Sequence, residues 1–183
     1  MDDTNVRFLV LNREKAEEHT SQLRRYAVIS ITDCGSQEAK LKESPHRVAV
    51  LRLQFSDVDA DRHPIVRKYG NDPLYKRWIE VFSDKYAEQI FNFYSEHKDE
   101  VDYFLIHCEA GISRSPAVAA TLCFYETGND EYFFAKFLPN RYIYRTILDF
   151  LDKGGHLHNR VRIKRDLSPN GLHPSVNKII FTD

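Results

Sequence analysis

No stretch of this chain approaches the ~20 consecutive apolar residues that a membrane-spanning helix needs. Cysteine is sparse: three residues, an odd number without regular spacing, exclude a disulfide framework. Net charge is almost absent, with 26 basic against 27 acidic side chains, so composition supports neither a nucleic-acid surface nor a polybasic membrane anchor. The opening MDDTNVRFLVLN lacks the basic-then-apolar order of a secretion leader. Internal repeats, low-complexity tracts and long Gly/Pro/Ser linkers are missing too, which leaves a single domain over residues 1–183 as the expectation. These absences point to a cytoplasmic, thiol-reducing setting, the setting that any function needing a free thiol requires.

Hydrophobic residues make up 42% of the chain and aromatics 13%, enough for a real core and too much for global disorder. Four apolar runs, Val6–Leu11, Ala27–Thr32, Val48–Phe55 and Asp102–His107, are too continuous for simple alternation. Such runs predict buried strands of a sheet covered on both faces. Helical patterns occupy Arg13–Gln22, Ser83–His97 with Ser83 as cap, Pro116–Thr127 ending before Gly128, Glu131–Leu138, and Arg141–Lys153 behind the cap Asn140. The order predicts an α/β fold: a central, mostly parallel sheet of four to five strands flanked by helices. The stretch from Asp59 to Phe82, broken by Pro64, Gly70 and Pro73, is long for a connection and is expected to be functional or to carry its own structure. Residues 154–183 form a basic extension holding Arg160, Arg162, Lys164 and Arg165; a solvated tail or short packed strands outweigh a dedicated binding arm.

The chemistry concentrates in "HCEAGISRS", residues 107–115, between the last strand and the helix that Pro116 opens. A loop from a strand's carboxyl end into a helix start aims several backbone N–H groups at one point, and the helix dipole adds positive charge there. Gly111 permits a backbone conformation closed to residues with a Cβ. Arg114 offers a planar fork that fits two phosphate oxygens. Cys108, at the base of the same bowl, sits where an anion nest and a cation favour the thiolate. Ser115 can donate its hydroxyl to that sulfur, and His107 can fix the Cys108 geometry through hydrogen bonds to the loop backbone. The backbone of Glu109, Ala110, Gly111, Ile112 and Ser113, with Arg114, is the expected substrate cradle. The bland alternative, a buried structural thiol beside a surface charge, fits Cys123 within its helix but not Cys108, where cysteine, glycine, arginine and serine all fall where a phosphate cradle needs them.

Cys-x5-Arg, preceded by His and followed by Ser, resembles the signature of the cysteine-based protein tyrosine phosphatases. In the form HCEAGISRSP it looks most like the small dual-specificity group and its bacterial and phage relatives. The resemblance is strong over about residues 100–127 and extends as an order of elements from Val6 to Lys153. It implies a metal-independent, cofactor-free reaction: Cys108 attacks phosphorus to form a cysteinyl-phosphate, and an aspartic acid protonates the leaving oxygen and then activates water. It implies phosphorylated protein or peptide as substrate. The acid belongs on a loop at the same sheet edge, where the run Val48–Phe55 ends in Ser56-Asp57-Val58-Asp59. Asp57 is the first choice and Asp59 the second. Asp72 stays open, because the acid-to-cysteine gap is longer than the compact members have. Cys34, after the second strand, could capture oxidised Cys108 as a disulfide, although a bystander thiol is the weightier reading.

Other classes stay in view. A non-catalytic phosphate reader would need the same cradle, and the complete residue set speaks against it. A rhodanese-like sulfur transferase also uses a loop cysteine, but the preceding His and following Arg-Ser do not fit. An inositol-lipid substrate is disfavoured by the lack of lysines among Glu109, Ala110, Ile112 and Ser113. An RNA 5′-phosphate gains little from a balanced net charge.

Overall fold

The apolar runs pair side by side, all in one direction. In the computed structural model, which describes residues 7–157 apart from 61, 64–65 and 67–78, the strands are β1 (Phe8–Asn12), β2 (Tyr26–Thr32), β3 (Arg47–Gln54) and β4 (Tyr103–Cys108). Their order is β1-β4-β2-β3, and every pairing is parallel. The helices are α1 (Arg13–Glu18), α2 (Asp84–His97), α3 (Arg114–Thr127), α4 (Glu131–Lys136) and α5 (Arg141–Lys153).

Both sheet faces are covered, which explains the unbroken apolar runs. Ala27, Ile29 and Ile31 of β2, with Phe104 and Ile106 of β4, join a core completed by Ile90 of α2, Leu122 of α3 and Ile147 of α5. Tyr26, Val28, Tyr103 and Leu105 face the other way, under Ala16 of α1 and half-buried Leu41. Each fully buried aliphatic or aromatic side chain here is worth about 1.5–3 kcal/mol over its exposed state.

Element boundaries differ from expectation where local contacts compete. α1 stops at Glu18 rather than Gln22: only its Ala16 is buried, and His19 is extended so that its ring packs edge-on against Tyr26 and Tyr103. Ser83 precedes α2, but its side chain makes no capping bond. α3 begins at Arg114, so Pro116 is its third residue, and Gly128 closes it in the left-handed conformation at φ 75°. α4 ends at Lys136 instead of Leu138 because Phe137 is already extended. Asn140 caps α5 as expected, its side-chain oxygen accepting from the N–H groups of Tyr142 and Ile143.

Because all strands run one way, their carboxyl ends share an edge. Asn12 pairs with Cys108 and Thr32 with Gln54 in the register. Asp33, Phe55, Asp57 and the loop from Cys108 to Ser113 therefore emerge together. Among the described residues no helix is long and apolar enough to cross a membrane.

Candidate active site

The loop after β4 is held by neighbours on its outer side. The Arg13 N–H donates to the Glu109 carbonyl at 3.1 Å, Leu138 N–H to Ile112 at 3.1 Å, and Asn140 N–H to Ser113 at 3.1 Å. All peptide bonds in the described chain are trans. In a trans peptide, the carbonyl of one residue and the N–H of the next point in opposite directions. Those three carbonyls point at partners outside the loop, so the N–H groups of Ala110, Ser113 and Arg114 face away from those partners. The Glu109 carboxylate is paired with Arg13 at 3.1 Å.

Gly111 is irreplaceable on two counts. Its φ of 68° lies in the left-handed region, and a Cβ there would sit 2.6 Å from the Asn12 nitrogen and 2.7 Å from the Leu11 carbonyl carbon. The loop rests directly on the end of β1. Gly111 N–H in turn approaches the Cys108 sulfur at 3.3 Å, and the Ser115 hydroxyl donates to the same sulfur at 3.1 Å. Cys108 is 2% exposed. Two donors on one sulfur are an arrangement suited to an anion.

Arg114 is 4% exposed, a severe desolvation for a guanidinium. Its Nη1 is fully engaged, donating to the Phe55 carbonyl at 2.8 Å and pairing with Asp33 Oδ1 at 2.7 Å. Its buried Nε–H has no partner among the described residues. A buried cation anchored by one nitrogen and left with an unpaired donor on its other edge is what a side-on contact with an oxyanion requires.

Asp57 reaches the loop from the end of β3. Its Oδ1 accepts from the Ser113 hydroxyl at 2.8 Å and from the Asn140 side-chain amide at 2.8 Å. The carboxylate of the second choice, Asp59, pairs with Arg62 at 3.4 Å. Asp72 lies outside the described residues.

The ring of His107 is fully buried; Nε2 hydrogen-bonds the Ser30 hydroxyl of the neighbouring strand at 2.8 Å, and the Cys108 backbone faces the ring from its other side. Desolvation pushes the ring's pKa down to about 4, so it is neutral at ordinary pH. His107 braces the end of β4 against β2 beneath the cysteine. Cys34 and Cys108 are both free thiols, and Cys123 is half-buried in α3, where burial raises its pKa.

Two residues escaped the sequence reading. Asp33, which orients Arg114, directly follows β2, and the convergence of carboxyl-end loops was the available signal. Asn140 was legible as a helix cap, but nothing local reveals that the other end of its amide holds Asp57.

No protein-family model matches the chain, and no curated protein matches it in sequence. Among solved structures it is similar to Tk-PTP in the active form, at 14% identity and TM-score 0.47, covering 84% of this chain and 99% of that one. It is also similar to the human tyrosine phosphatase-like serine/threonine/tyrosine-interacting protein, at 16% identity and TM-score 0.45, over 81% and 93% of the two chains. A third likeness is to DUSP15, at 21% identity and TM-score 0.41, over 67% and 68%. These likenesses are loose, and the chemistry stands on the geometry of the site.

Proposed function

We propose that this chain hydrolyses phosphomonoesters through a cysteinyl-phosphate, acting on phosphotyrosine or on phosphoserine and phosphothreonine in proteins. One observation carries the reading: the buried, half-anchored Arg114 with its unpaired Nε–H, beside a sulfur that already holds two donors.

The phosphoryl oxygens take the inward amides and the free edge of Arg114, which stabilise the equatorial charge of the transition state. The Cys108 thiolate attacks phosphorus in line, the P–O bond to the leaving group breaks, and Asp57 protonates that oxygen. Water then attacks the cysteinyl-phosphate, ionised Asp57 accepts its proton, and the P–S bond breaks. Ser115 steadies the departing thiolate through its 3.1 Å contact. Each step uses a side chain of this chain. Protein is the favoured substrate class because the cradle carries no lysine and the net charge of −1 gives no field for a polyanion.

Hydrolysis of para-nitrophenyl phosphate by wild type and by Cys108→Ser tests the proposal. Turnover abolished by the substitution, with a phosphorylated Cys108 peptide trapped by acid quench of the wild type, is the expected result. A wild type that binds phosphate without hydrolysing the ester is a reader of phosphate instead, and thiosulfate turnover marks a sulfur transferase.

A further inference from the structure

Beside the bowl, sharing two of the contacts that hold it, lies a groove of about 370 Å³ that the chemistry above does not use. Its apolar walls are Phe134, Phe137, Leu138 and Pro139. Asn140 belongs to both places: it lines the groove while its amide holds Asp57 and its backbone holds Ser113. Leu138 also lines the groove, and its N–H is the one bonded to the carbonyl of Ile112 in the loop. The side chains of these two residues are among the few large apolar ones left exposed, Leu138 at 77% and Ile112 at 49%. They form an apolar lip between cradle and groove. The groove therefore adjoins the loop between Cys108 and Arg114 through the backbone bonds of Leu138 and Asn140.

The backbone around the groove narrows what can enter. The N–H groups of Leu138 and Asn140 are spent on the loop, that of Phe137 on the Phe133 carbonyl, and Pro139 has none. Residues 137–140 therefore offer no donor to an added strand, and recognition must come from filling apolar space. Among the described residues the rim carries Arg62, paired with Asp59 at 3.4 Å, and Arg141. The nearby carboxylates of Asp57, Asp59 and Glu109 oppose an anionic bilayer surface.

Resting on the phosphatase reading, we propose that this groove receives an aromatic or long aliphatic side chain flanking the phosphorylated residue of a protein substrate. It is a specificity site, separate from the groups that make and break bonds.

The test uses phosphotyrosine peptides of one background sequence that differ only in the flanking residue, Phe or Leu against Ala, at each position up to two on either side. At one position the apolar peptides are expected to show kcat/KM at least about tenfold above the Ala peptide. Phe134→Ala and Leu138→Ser, checked for folding by thermal melting, each lower kcat/KM for the apolar peptide toward the Ala value while the Ala peptide changes little. Equal turnover of all peptides, with para-nitrophenyl phosphate hydrolysis intact, overturns the groove proposal alone. Equal peptides together with stimulation by phosphatidylserine vesicles would overturn it in favour of a membrane contact. A wild type inert toward para-nitrophenyl phosphate sinks the phosphatase reading, and this proposal with it.

Discussion

Replacing Asp57 by Asn separates the proton from the scaffold. Two donors, the Ser113 hydroxyl and the Asn140 amide, converge on one oxygen, Oδ1, each at 2.8 Å. Oδ2 is thereby the oxygen left to carry the proton. An asparagine keeps an acceptor at Oδ1 and so keeps both bonds, losing only the ability to give and take a proton at the other position. General acid catalysis contributes about 10²–10⁴-fold. For phenyl phosphate, whose leaving group has the basicity of a tyrosine side chain, kcat/KM should fall about 10²–10³-fold, or roughly 3–4 kcal/mol of transition-state stabilisation. Para-nitrophenyl phosphate releases a far weaker base and should lose less than about tenfold. Steady-state assays of both esters at one pH suffice. Equal losses on the two would refute the assignment, and Asp33, whose carboxylate lies 2.7 Å from Arg114, would then be the acid to replace next.

Gly111→Ala places a methyl group 2.6 Å from the Asn12 nitrogen in a left-handed residue, so we expect a loss of at least about 2 kcal/mol in urea unfolding together with loss of turnover; an active variant of unchanged midpoint would show that the loop does not rest on β1. Asp33→Asn should weaken inhibition by inorganic phosphate and lower kcat/KM by about tenfold, with the melting temperature nearly unchanged, because an exposed carboxylate contributes little to stability. Its target is the orientation of Arg114, and unaltered phosphate inhibition would remove Asp33 from that role. His107 makes stability depend on pH with a definite sign. Its folded pKa of about 4 lies below the ordinary value of 6.5, so the unfolded chain takes the proton first as pH falls. The site contributes nothing above about pH 6.5 and costs roughly 3 kcal/mol on reaching pH 4. His107→Gln should flatten that part of the urea-unfolding profile, and parallel profiles for variant and wild type would contradict it.

What could be read in the sequence was whatever is local. The four strands were visible because burial on both faces forces continuous apolar runs, and the cradle because five residue types with separate physical duties sit within nine positions. Ends of elements were less legible. α1 terminates where His19 turns onto two tyrosines brought from other strands, and α4 where the chain must straighten to meet the loop. The roles of Asp33 and Asn140 depend on partners 81 and 83 residues away in the chain, Arg114 and Asp57, so no window of sequence contains them. The bond from His107 to Ser30 on β2 follows from sheet register, which the sequence did not disclose.

The acid loop is closed at its neck, where the Ser56 N–H meets the Glu80 carbonyl at 2.8 Å. Asp57, just inside that neck, is gripped by side chains from elsewhere, so its position owes little to the excursion that follows. Adding residues to such an excursion costs only about 0.6 kcal/mol for each doubling of its length. A change in the length of the chain before residue 80 therefore leaves both bonds to the Asp57 carboxylate in place.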